Sequence, residues 1–191
     1  MQETIKARIF ENSYISSSLL ADKSFLKNLE KITQKAINTL QSNNRIFFAG
    51  NGGSTSQAQH LAAELAGRFL MDREPLDAIC LSDNVSFLTA VSNDYGYDRV
   101  FERSLLAHGK KGDLIFLLST SGASDNILFA LKAANKIGIK SVAMTGLKGL
   151  DFASMSDFHI TIPSEDTARI QEMHILLGHI LCELIEKEIF K

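Results

Sequence analysis

Five short, largely apolar runs punctuate this chain, at residues 45–49, 77–81, 114–118, 141–144 and 158–162. Runs of this length, too apolar to alternate cleanly, suit strands buried on both faces of a parallel sheet. Longer segments separate them, with apolar residues recurring at helical spacing over 54–69, 85–92 with 97–107, 123–137, and 167–189. Strand and helix in alternation predict an α/β fold, a parallel sheet of about five strands flanked by helices in a flavodoxin-like sandwich.

Ahead of the first strand, Ile9, Ile15, Leu19, Leu20, Leu26, Leu29, Ile32, Ala36, Ile37 and Leu40 follow a helical period among polar residues. This predicts an N-terminal arm, about 1–41, of one long helix or two. Such an arm covers either its own domain or a partner subunit. With no linker, repeat or low-complexity tract to divide it, the chain reads as one domain, 1–191.

Composition narrows the function. The formal net charge of -2 provides no basic field for nucleic acid or an anionic membrane, so a phosphorylated ligand has to be held locally. No apolar run approaches the roughly 18 residues of a membrane span, and the start lacks a signal-like pattern, which predicts a cytoplasmic protein. Cys80 and Cys182 stand far apart in apolar stretches, as buried, reduced thiols would.

In such a sheet, ligands bind beyond the carboxyl ends of the strands. After the third run comes Ser119-Thr120-Ser121-Gly122-Ala123-Ser124, then a helical pattern. Hydroxyls, a glycine and the free amides of a helix start form a site for a phosphate ester. The alternative is that Ser121 or Ser124 simply caps the helix. After the first run comes Gly50-Asn51-Gly52-Gly53-Ser54, where Ser54 is a candidate cap. These glycines lack the G-x-G-x-x-G spacing of a dinucleotide site, and no Walker lysine follows. On the next helix His60 and Glu64 lie within about 40° of one another. Together they can hold a metal or form a proton-transfer site, or be a surface pair.

Asn93-Asp94 reads locally as a connection between helical patterns. The last helix carries Arg169-Ile170-Gln171-Glu172-Met173-His174 and, further on, His179. It is apolar on nearly all sides after Met173, so its histidines need partners.

These segments, in this order, resemble the SIS sugar-phosphate family and, within it, the phosphoheptose (sedoheptulose 7-phosphate) isomerases. The resemblance runs from the arm to the final helix. It implies phosphate binding by Ser119, Thr120, Ser121 and Ser124, and sugar contacts from Asn51, Gly52, Gly53, Glu64, Asn93, Asp94 and Gln171. It also implies Glu64 as base, His179 as acid/base, and one zinc per subunit held by His60, Glu64, Gln171 and His179, with His174 structural. The implied reaction is aldose–ketose isomerisation of a phosphorylated heptose, for surface-polysaccharide synthesis, in a homotetramer. A non-enzymatic relative that binds the replication initiator, or an isomerase of another sugar phosphate, are the alternatives. Zinc presents a difficulty: four protein ligands close a tetrahedral ion, and Gln171 and His179 are roughly 12 Å apart along a straight helix.

Overall fold

In the computed structural model, which describes all 191 residues, the five runs form strands β1 (Ile46–Gly50), β2 (Ala78–Cys80), β3 (Leu114–Leu118), β4 (Lys140–Thr145) and β5 (Phe158–Thr161). Every pairing is parallel, in the order β2-β1-β3-β4-β5. The chain builds outward from β1 to β2, then returns to lay β3 on the other side of β1. Loops after β1 and β3 therefore part in opposite directions and open a crevice at the carboxyl edge.

Eight α-helices surround the sheet: α1 (Gln2–Ala21), α2 (Lys23–Gln41), α3 (Gly53–Ala66), α4 (Val85–Tyr95), α5 (Val100–His108), α6 (Asp125–Ile137), α7 (Leu150–Ser154) and α8 (Thr167–Ile189). Side chains alternate across the strands, as a two-residue period requires. Phe48, Phe116, Leu118 and Met144 join the core with α2, α3 and α8, whereas Phe47, Ala49, Ile115 and Leu117 join the one with α5 and α6. Gly178 brings α8 hard against α3: a Cβ there would lie 2.6 Å from the Leu61 side chain.

The arm is two helices. Asp22 ends α1 in extended backbone, and its carboxylate accepts hydrogen bonds from the amides of Ser24 and Phe25 to start α2. Three local expectations change. Gly52, not Ser54, is the N-cap of α3, and Ser54 is buried within the first turn. Asn93 and Asp94 are not a connection but the end of α4, which stops only at Gly96, where φ is 96°. The short α7 and a 3-10 turn at Leu147–Gly149 follow β4; five residues are too few to show a helical period.

Candidate active site

The crevice between the β1 and β3 loops is a cleft of about 290 Å³ lined chiefly by Asn51 to Ser54, Ser119 to Ser121, Ser124, Thr167 and Gln171. Its β3 side is shaped by Gly122, whose φ of 65° favours glycine and where a Cβ would come within 2.6 Å of the Gly149 Cα. Ser119 Oγ accepts from the Gly122 amide at 3.1 Å, and Ser121 Oγ from the Ala123 amide at 3.2 Å. Ser124 is the N-cap of α6, but its side chain caps nothing. The hydroxyls of Ser124 and Thr120 and the first amides of α6 are left available to an anion.

The β1 side is tied to this loop. Asn51 and the buried Asn126, in the first turn of α6, exchange two side-chain hydrogen bonds of 2.8 Å, and the Tyr97 hydroxyl donates to Asn51 Oδ1 at 3.0 Å. Neither Asn126 nor Tyr97 stands out in the sequence; a helix-start asparagine and a loop tyrosine carry no signal until the fold joins them. Gln171 closes the cleft from α8. Its amide donates to Ser54 Oγ at 3.3 Å, and its backbone carbonyl accepts from Gln57 Nε2 at 2.6 Å.

Farther along α3, His60, Glu64 and the α8 residue His179 converge, with ligand atoms all within 4.8 Å of one another. The two Nε2 atoms are 2.9 Å apart, and Glu64 Oε1 is 3.2 Å from that of His60. Two imidazoles can face each other this way if one donates its Nε2–H to the other. Two nitrogens and a carboxylate oxygen at such spacing also suit a zinc ion that keeps an open fourth position. Phe69 stacks on the His179 ring, 5.7 Å between centroids at 20°. Of the four residues expected at zinc, the structure brings three together; the Gln171 amide is hydrogen-bonded to Ser54 instead.

Asn93 and Asp94 do not line the cleft of the single chain; they are exposed, and Asn93 Nδ2 donates to Asp94 Oδ1 at 2.9 Å. His174 is fully buried, as a structural residue would be, yet neither ring nitrogen has a hydrogen-bond partner. Both cysteines are buried and unpaired. Burial, and then the nearby Glu64 charge, pushes the Cys182 thiol up to about 12, so it is inert at neutral pH.

Comparison with known proteins gives concordant results. The SIS domain family model matches residues 16–146. A phosphoheptose isomerase from Aneurinibacillus thermoaerophilus is 44% identical over 191 residues, which is 100% of this chain and 96% of that protein. One from Akkermansia muciniphila is 44% identical over 190 residues, covering 100% of this chain and 99% of the relative. The solved phosphoheptose isomerase of Neisseria gonorrhoeae superposes with a TM-score of 0.90 at 36% identity, over 97% of this chain and 98% of that one.

Proposed function

Because the chain belongs to the SIS-domain family, among its phosphoheptose isomerases, we propose that it converts sedoheptulose 7-phosphate to D-glycero-D-manno-heptose 7-phosphate. The observation that carries this reading is the convergence of His60 and Glu64 of α3 with His179 of α8, beside the hydroxyl-lined cleft in which α3 begins. Ser119, Thr120, Ser121 and Ser124 hold the phosphate, and Asn51, Gly52, Gly53 and Gln171 meet the sugar chain. From Ser54 to His60 is about 9 Å along the helix axis. An extended seven-carbon chain bearing a terminal phosphate covers a similar distance, with C–C bonds of about 1.5 Å.

The chemistry moves one proton between adjacent carbons and others between their oxygens. Glu64 takes the proton from C1 to leave an enediol and returns it at C2. His179 gives a proton to the former carbonyl oxygen and takes one from the other hydroxyl. Fixing the phosphate converts binding energy into orientation of the distant carbons. His60, Glu64 and His179 would hold zinc in this reading, and because a metal-bound Nε2 carries no proton, His179 acts as acid/base only once the metal has released it. Bound there, zinc would supply Lewis-acid polarisation of the carbonyl and order the three side chains. The setting is a cytoplasmic homotetramer of single SIS domains, in which neighbouring subunits bring further residues, Asn93 and Asp94 among them, to each cleft. Its product supplies heptose for surface polysaccharide.

Purified protein given sedoheptulose 7-phosphate in deuterium oxide should form the aldose with deuterium at C2, and metal analysis should find one zinc per chain. Glu64→Gln and His179→Ala should each lower turnover by orders of magnitude while phosphate-end binding persists. Near-normal turnover in Glu64→Gln would remove Glu64 as the base. Binding without turnover by the unmodified protein would make it a binding protein instead.

A further inference from the structure

Beyond the end of α3, Arg73 and Glu186 form an ion pair with side chains only 2% and 1% exposed, Nε to Oε1 2.9 Å. Glu186 lies on α8 two turns past His179, on the same face. Arg73 turns the rest of its guanidinium on backbone carbonyls at the end of α3. Its Nη2 donates to Glu64 O at 2.8 Å, and its Nη1 to Leu65 O at 2.8 Å and Gly67 O at 3.1 Å. Carbonyls at a helix end lack helical partners, so a fixed cation there pins the last turn, the one that carries Glu64. Glu186 in turn accepts from the amides of Phe69 at 3.1 Å, Leu70 at 2.8 Å and Met71 at 3.0 Å. The first of these carries the ring stacked on His179. Burial alone would raise the Glu186 carboxyl, but these amides and Arg73 hold it below the usual carboxylate range.

A buried ion pair is weak evidence for stability, since apolar residues of similar volume often serve as well. This pair reaches both groups of the proposed chemistry, one through the α3 terminus and the other through the Phe69 ring. We propose that Arg73 and Glu186 are positioning residues for isomerisation, fixing Glu64 and His179 relative to one another across the seam between α3 and α8. The inference rests on the reading that those two groups transfer the protons.

The test uses the full-length chain with Glu186→Gln, Arg73→Lys or Phe69→Leu, studied below each variant's melting transition. Two quantities are read: steady-state kinetics on sedoheptulose 7-phosphate, and zinc affinity by competition with a chromophoric chelator. Loss of an outer-shell support predicts kcat lower by about 10-fold or more, zinc affinity weaker by about 10-fold, and KM little changed. Phe69→Leu should show the same split, more weakly. Unchanged kcat and zinc affinity in the folded variants, or a KM effect as large as that on kcat, would overturn the proposal. Should the two pair variants fail to fold, Phe69→Leu leaves the pair intact, and wild-type kcat there overturns it. Should the unmodified protein not turn over the heptose phosphate, the functional reading fails by itself; zinc affinity unchanged in the variants then overturns the positioning role independently.

Discussion

His174 stands with no exposed surface beside the end of β4, both ring nitrogens without a partner, as is the buried Oγ1 of Thr145 nearby. Burial pushes its pKa down from the usual 6.5 to about 4; the Thr145 backbone, close to the ring but outside hydrogen-bonding geometry, offsets only part of this. The folded pKa lies below the unfolded one, so the unfolded chain takes up the proton first. Stability is therefore whole above about pH 6.5, declines as pH falls toward 4, and loses nothing further from this group below that. The loss is on the order of 3 kcal/mol, at about 1.4 kcal/mol per pH unit. Urea melts at pH 8, 6 and 4.5 should show this decline in the wild type and a flatter one in His174→Leu. The variant should lose little at pH 8, where it removes an unpartnered polar ring. An acid limb equally steep in both proteins would rule out His174 as its source. The burial of this residue was legible from the apolar helix around it, but its missing partners were not. Whether a buried ring finds an acceptor depends on the strand opposite, which no local spacing encodes. Asn126 and Tyr97 escape the sequence for the same reason, since their meaning lies in contact with Asn51, 75 and 46 residues away.

At the scale of elements, short near-continuous apolar runs placed all five strands, buried on both faces, and a 3.6-residue period placed the long helices, buried on one. Boundaries followed local chemistry less faithfully. Asn93-Asp94 favours a turn by composition, but α4 carries on through both to Gly96. The hydroxyl loop between β3 and α6 lies at the strand end that the pattern predicts, and it lines the crevice. Ser121 and Ser124 were each open to a plain capping role, and neither side chain caps α6. Replacing Ser119, Ser121 and Ser124 together by alanine should weaken sugar-phosphate binding by several kcal/mol, at about 1 kcal/mol or more per bond to a charged acceptor. Calorimetric titration reads this directly. Wild-type affinity in the triple variant would mean that the phosphate sits elsewhere. The candidate metal cluster was partly legible: His60 and Glu64 share a helical face by spacing alone, whereas the approach of His179 depends on α8 lying against α3 at Gly178.

The molecule as a whole leaves an apolar surface that one chain does not cover. In α1 only Ile15 and Leu19 are buried, while Ile5, Ile9, Phe10 and Tyr14 are exposed along the helix. Beside it, Leu26, Leu29, Ile37, Ile180 and Leu184 line a groove between α2 and α8. A long helix holding so little core is not kept in place by its own propensity, and a stripe of this kind is what subunit contacts bury. Asn93 and Asp94 give a second reason to look beyond one chain, because they lie outside the cleft they are expected to serve. The homotetramer of the functional reading answers both, with the arm packing on neighbours and a neighbour completing each site. Light scattering at assay concentration should therefore give four times the 21.0 kDa chain mass. Replacing Ile9 and Phe10 by glutamate should split the assembly, since charges on the covered stripe would be buried without partners. Turnover should fall together with the tetramer, while the phosphate loop, contained within each chain, keeps some affinity for the sugar phosphate. A fully active monomer, of either the wild type or the doubly substituted chain, would show that each cleft is complete in itself and that the exposed stripe has another purpose.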